Sequence, residues 1–265
     1  MKKTMIVIMI FIIGMSLTAC RVEKTYDDLY LEYLTHLEKN EVNYQSTIDY
    51  FNHVSSETIK SVVHIEKAVY GIGSSSGSGV IIKADENHYY ILTNNHVVYV
   101  ADNIIRVDYI VTDYLGNEYS AILIENSEDY DLAILEIGRR SINLPVIELA
   151  LHNPYRGTNL AILGFPSFQL NAITIGDAID YAPIEVSSAA YEIINVLFDV
   201  LICDVPVKSG SSGSVVINRQ YQLVGIVYAG NFEDTDDTSK YTFCIPVEKV
   251  FEFFQLKHFS LEDES

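Results

Sequence analysis

Residues 208–217 read KSGSSGSVVI, and the next apolar stretch, LVGIVYAG, covers 223–230. Four serines and two glycines fall between Lys208 and Val215. A phosphate-binding loop needs GxxxxGK[ST] opening onto a helix. Here the lysine precedes the glycines, and VVINRQYQLVGIVYAG patterns as two strands around a turn. An α/β-hydrolase elbow needs GxSxG between strand and helix, with the acid and the histidine after the serine. Gly210-Ser211-Ser212-Gly213-Ser214 lacks the final glycine, and the best-placed histidine comes earlier in the chain. What remains is a serine-rich loop between β-strands. The loop alone does not say which of Ser209, Ser211, Ser212 and Ser214 is reactive.

Outward from that loop the same texture recurs. SVVHIE, GSGVIIK, YYILTNN, IIRVDYI, EYSAILIE and DLAILEI are short β-rich runs, separated by turn-rich pieces such as KADENH and DYLGNE. After a proline-bearing link near SINLPVIEL come NLAILGF, NAITIGDAIDY, INVLFDVLI, GSVVI, LVGIVYAG and YTFCIPV. Two groups of short strands predict an all-β protein, two antiparallel barrels or sandwiches in tandem. Nothing alternates strand with helix in the parallel α/β manner. PVEKVFEFFQL reads as a closing helix with Val247, Val250, Phe251 and Phe254 on one face. Before the strands, residues 21 to about 60 look helical, with Tyr26, Leu29, Tyr30, Tyr33, Leu34 and Leu37 on one face.

The chain has 265 residues, 49% hydrophobic and 20% charged, which is a globular composition with ample material for a core. The first twenty, MKKTMIVIMIFIIGMSLTAC, have two lysines, an apolar run and then small residues. That is the layout of a secretory signal. Leu17-Thr18-Ala19-Cys20 resembles the bacterial lipobox, which implies lipidation of Cys20 and an extracytoplasmic protein anchored to the bacterial cell membrane by that lipid. Without Lys2 and Lys3 the chain carries 15 basic and 36 acidic residues, a net charge of −21. Such a surface argues against nucleic acid and against polybasic attachment to anionic lipid. Cys203 and Cys244 sit in apolar runs and read as buried free thiols. No Cys/His cluster has metal-ligand spacing, so zinc is not expected.

His96 ends an apolar strand in ILTNNHVV, where a scaffold can hold an imidazole at a cleft edge. Asp131 is the last polar residue before the run LAILEI, while its neighbour Asp129 lies further into an acidic turn. The order His96, Asp131, Ser212 is the chymotrypsin order of a catalytic triad. GSGVII, ILTNNHVV, DYDLAILEI, LGFP, GSSGS, LVGIVYAG and YTFCIPVEKV together resemble the trypsin-like serine proteases of the HtrA (DegP-like) type, over roughly residues 54 to 254. The resemblance implies two chymotrypsin-like barrels, no cofactor, and peptide or protein substrates. A homo-oligomer is compatible with it.

Residue by residue, the resemblance implies His96 as general base, Asp131 as its orienting acid and Ser212 as nucleophile. It gives the N–H groups of Gly210 and Ser212 to an oxyanion hole, and the strand Tyr228-Ala229-Gly230 to pairing with the substrate backbone. Val205 to Ser209, with residues around Tyr228 and Phe243, would wall the specificity pocket, and Asp204 falls at a strand end. The acidic stretch NFEDTDDTSK, 231–240, borders that region.

The chain departs from the family at Ser211, in place of Asn, and at Ser214, in place of the last Gly of the serine loop. If that last position needs positive φ or close approach, a serine there disturbs the loop. Only Gln255 to Ser265 follow the closing helix, so no PDZ domain is expected after it. The expected layout is a lipoprotein signal over 1–19 and a helical spacer or packed segment over 20–60. A protease domain then spans 61–254, its halves meeting near 140–155, and a tail covers 255–265. The alternative function is a catalytically silent lipoprotein of protease fold that binds peptides or a surface partner.

Overall fold

The computed structural model describes residues 45–101, 104, 106–139, 143–166, 172–186, 196–232 and 238–262. Among them, twelve strands close into two six-stranded antiparallel barrels. The first barrel contains β1 (Val62–Val69), β2 (Gly73–Ala84), β3 (His88–Thr93), β4 (Val107–Thr112), β5 (Glu118–Ser127) and β6 (Leu132–Gly138), in the order β1-β2-β3-β6-β5-β4. The second contains β7 (Asn159–Gly164), β8 (Ala172–Ala182), β9 (Val200–Cys203), β10 (Val215–Ile217), β11 (Leu223–Asn231) and β12 (Tyr241–Pro246), in the order β10-β11-β12-β9-β8-β7. A one-turn helix, α1 (Asn95–Val98), follows β3, and α2 (Val247–Leu256) follows β12. This is the all-β, two-barrel architecture that the two groups of runs predicted, each run holding a strand, and the chymotrypsin-like fold that the family resemblance implied.

Side chains of a strand alternate between its two faces. In β6, Ala133, Leu135 and Ile137 fill the first barrel, while Leu132 and Ile134 face a second cluster shared by both barrels. In β7, Leu160 and Ile162 fill the second barrel, and Ala161 and Leu163 join the shared cluster. A strand buried on both faces must be apolar at every position, which is why LAIL, at 132–135 and again at 160–163, reads as an unbroken run. β5 lies at the periphery, with Ile122 62% exposed, and its sequence mixes polar and apolar residues.

The connection between the barrels is bonded to both. Ile147 N–H donates to Ile81 of β2, Ala150 N–H donates to Leu223 of β11, and Leu223 N–H donates to Glu148. α2 closes the shared cluster with Val247, Val250, Phe253 and Phe254. The expected face named Phe251 instead of Phe253. Phe251 is only half-buried, because the helix turns Phe253 toward the Tyr130 ring at 6.3 Å and leaves Phe251 at the margin against Phe254.

The chain divides into two units after Asp49. In the first, residues 45–49 are helical and Gln45 Nε2 donates to Asp49 Oδ1 at 2.8 Å. The signal segment, Cys20 and the tyrosine–leucine face of 26–37 lie outside the described residues. The second unit opens with helical residues 50–56, where Tyr50 and Val54 are buried in the shared cluster. Among the described residues no helix is long and apolar enough to cross a membrane.

Candidate active site

His96 lies in α1, directly beyond the end of β3. Asp131 ends the turn that enters β6 and accepts two hydrogen bonds from His96. The backbone N–H reaches Oδ1 at 2.8 Å, and Nδ1 lies 2.6 Å from Oδ2. The carboxylate is 1% exposed and the imidazole 14% exposed. An ionised carboxylate accepts only, so the imidazole proton sits on Nδ1 and the basic lone pair is on Nε2. Asp129 is exposed in the same turn.

Asp131 is held in a strained backbone. Its φ is +47°, a region that side chains with a β-carbon seldom occupy. Three bonds fix it there besides the imidazole: its N–H donates to Glu128, Asn94 Nδ2 donates to its carbonyl at 3.0 Å, and His96 N–H takes Oδ1. Asn94 precedes α1 but makes no side-chain cap bond: its Nδ2 is turned to the Asp131 carbonyl, and its Oδ1 is buried without a hydrogen-bond partner. Asn126 supports the neighbour, donating to Asn95 Oδ1 at 2.7 Å.

The serine loop approaches this pair from the second barrel. Ser78 of β2 donates its N–H to the Ser212 carbonyl at 2.8 Å. A β-carbon on Gly77 would lie 2.8 Å from Val97 Cγ2 and 3.1 Å from the Ser212 oxygen, so the residue after His96 and the Ser212 backbone crowd one point. Gly213 has φ +82°, and a β-carbon there would sit 1.9 Å from the Ser78 oxygen. Both facts require glycine at 213.

The loop uses its N–H groups selectively. Ser211 N–H donates to Lys208, Gly213 N–H to Val227 and Ser214 N–H to Ser211. Among the described residues no protein acceptor takes the N–H of Gly210 or of Ser212. Gly210 has φ +88°, which only glycine adopts without strain.

Ser214 resolves differently from the sequence expectation. It is fully buried and does not have positive φ, so the missing glycine causes no left-handed strain. The close approach is absorbed across the sheet instead. A β-carbon on Gly164 would lie 1.8 Å from Ser214 Oγ, so Gly164 supplies the space that Ser214 fills. The Ser214 hydroxyl is buried without a hydrogen-bond partner. Gly164→Ala is therefore expected to destabilise the fold by about 1–3 kcal/mol through overpacking, with Ser214→Gly in the same chain restoring most of the loss. Denaturant melts of the four chains of that cycle measure it. Equal losses with and without Ser214→Gly would contradict the pairing.

The other expected contacts lie as follows. Val205 and Val207 are buried in the core of the second barrel, because the segment alternates like a strand, and Val207 also lines a cavity beside the serine loop together with Lys208, Ser211 and Ser214. Tyr228 is 3% exposed with its ring in the shared core, so it lends backbone and not a side chain to any substrate contact. Burial first, and then the Asp131 carboxylate, push its phenol up to about 12. Phe243 is half-buried, and Asp204 is exposed just past the end of β9. β10 pairs with β11 only as far as Ile226, and among the described residues no strand covers the outer edge of 228–230. Within the acidic stretch, 233–237 lie outside the described residues. Cys203 and Cys244 are buried free thiols, and burial with the adjacent Cys203 holds the Cys244 thiol high. Among the described residues no cluster could hold a metal.

Sequence reasoning did not single out Ser78, Thr93, Asn94 or Gly164. Ser78 and Gly164 lie in the quoted motifs GSGVII and LGFP, whose pattern gives no hint of what they touch.

The sequence profile described as "Trypsin-like peptidase domain" matches residues 77–226. The serine protease Do-like HtrA of Bacillus subtilis is 29% identical over 178 residues, 67% of this chain and 38% of that protein. The periplasmic serine endoprotease DegP of Escherichia coli K12 is 28% identical over 151 residues, 57% of this chain and 29% of that protein. The chain thus matches about a third of the length of these curated relatives. Among solved structures, the HtrA-type protease AlgW with tripeptide superposes with a TM-score of 0.61 at 28% identity, covering 78% of this chain and 62% of that one.

Proposed function

The chain belongs to the trypsin-like peptidase domain family, and from that premise we propose that it is an extracytoplasmic serine endopeptidase working through His96, Asp131 and Ser212. The observation that carries the reading is the two-point grip of Asp131 on His96, which fixes the tautomer that leaves Nε2 basic. In this mechanism Nε2 takes the proton of Ser212 Oγ as the oxygen attacks the scissile carbonyl. Asp131 stabilises the imidazolium, and the imidazolium then protonates the leaving amine. Water hydrolyses the acyl-enzyme by the same steps in reverse order. The N–H groups of Gly210 and Ser212, uncommitted to protein acceptors among the described residues, bind the oxyanion.

The edge at Ala229 and Gly230, both half-buried and met by no strand among the described residues, receives an extended substrate backbone by β-augmentation. The signal-like segment and the lipobox-like Leu17–Cys20 support a reading in which the enzyme works outside the cytoplasm on a lipid anchor. The Escherichia coli relative DegP is a periplasmic endoprotease, which supports that side of the membrane. The full chain, kept in detergent, is expected to cut an unfolded protein substrate into internal fragments, and prior fluorophosphonate treatment is expected to stop the cutting. An intact substrate after prolonged incubation with the folded chain would favour the silent, peptide-binding alternative.

A further inference from the structure

Ser78 is fully buried in β2, and each of its polar groups is bonded outside its own strand pairing. Its N–H donates to the Ser212 carbonyl at 2.8 Å, and its carbonyl accepts Thr93 Oγ1 at 2.7 Å. Its Oγ accepts the Phe165 N–H at 2.9 Å and donates to the Gly210 carbonyl at 3.4 Å. Thr93 lies three residues before His96, and Phe165 follows β7. One residue of the first barrel thus touches the segment bearing the base, the nucleophile's own carbonyl and the loop that carries both uncommitted N–H groups.

The geometry points to Ser78 as a positioning residue for the oxyanion hole, acting through the Gly210–Ser211 peptide plane. The inference rests on the reading of Gly210 and Ser212 given under Proposed function. The Gly210–Ser211 peptide lies between the two donor peptides, so its orientation sets the angle between their N–H groups. Gly210 has no β-carbon to restrict its rotation, and its φ of +88° is open to further turning. Its carbonyl is held from the opposite barrel by Ser78. Because Ser78 Oγ already accepts from Phe165, its hydrogen is directed to a separate acceptor, and the Gly210 carbonyl is that acceptor. At 3.4 Å the bond is long for O–H···O, and what it sets at the site is the direction of the Gly210 carbonyl. Direction is what an oxyanion hole depends on, since its donors act only when aimed at the developing charge.

The test compares the full chain with Ser78→Ala in two rates. Phosphonylation by a fluorophosphonate develops charge on an oxygen in the oxyanion hole. Acylation of the His96 imidazole by diethyl pyrocarbonate, read by peptide mass spectrometry, does not use the hole. A melting curve confirms that each chain is folded at the assay temperature. Ser78→Ala is expected to slow phosphonylation about tenfold and to leave His96 acylation within about twofold. Unchanged phosphonylation, or both rates changed by the same factor, would overturn the role of Ser78 while leaving Ser212 as the nucleophile. A parent chain that reacts at His96 but never at Ser212 would overturn the reading of the serine loop, and this inference with it.

Discussion

Ser212→Ala is expected to lower kcat about 10⁶-fold while leaving the folded state intact. The size follows from the division of labour at the site. Ser212 Oγ supplies the only bond-forming atom in the proposed reaction, and His96 and Asp131 act through it, so its loss removes the work of all three. A residual acceleration over water of about 10³–10⁴ persists, because the N–H groups at 210 and 212 and the substrate edge at 228–230 remain. Stability is spared because the loop is anchored by backbone groups that alanine keeps: the Ser212 carbonyl on Ser78, and the N–H groups of Ser211, Gly213 and Ser214 on their acceptors. Steady-state rates on a fluorogenic peptide, with a thermal melt of each chain, measure both halves. A variant retaining a tenth of the parent rate would move the nucleophile to Ser209, Ser211 or Ser214.

Asp131→Asn is expected to cost about 10⁴-fold in kcat. The carboxylate meets two donors from His96, the backbone N–H at Oδ1 and Nδ1–H at Oδ2. An asparagine has one oxygen to offer. If that oxygen keeps the backbone N–H, its amide hydrogens face Nδ1, which must then become an acceptor. The imidazole proton moves to Nε2, the position that has to receive the Ser212 proton, and the base is lost without any change in shape. Asp129→Asn is the matched control, and it should leave the rate within about twofold because Asp129 is an exposed turn residue. Comparable losses from the two variants would show that the site responds to net charge, and that Asp131 has no special role.

Much of this architecture was legible in the sequence for a physical reason. A strand buried on both faces has to be apolar at each position, so the LAIL of β6 and that of β7 declared themselves as central strands, and the turn-rich gaps between runs marked the hairpins. His96 and Asp131 were legible because each stands where a strand meets a turn, beside an apolar run that fixes its backbone. What escaped notice depends on contacts between elements. A helical face tolerates a shift of one residue at its margin, and the choice between Phe251 and Phe253 is made by Tyr130, on another barrel. Val205 and Val207 were placed from their distance to Ser212 along the chain, and only the fold shows that both are buried and that Val207 lines a cavity beside the serine loop. The effect of Ser214 could not be read from its own position, because the compensating residue is Gly164 across the sheet. Ser78 is a small polar residue in a serine-rich strand, and only the approach of the second barrel gives its N–H and its Oγ their partners.

The most direct measurement is the site of covalent capture. The full chain would be treated with a fluorophosphonate, digested, and its adduct located by mass spectrometry, with Ser212→Ala treated in parallel. A single adduct on Ser212, absent from the variant, is the predicted result. A chain shown to be folded by circular dichroism that takes up no label, or takes it up on another serine, would contradict the account.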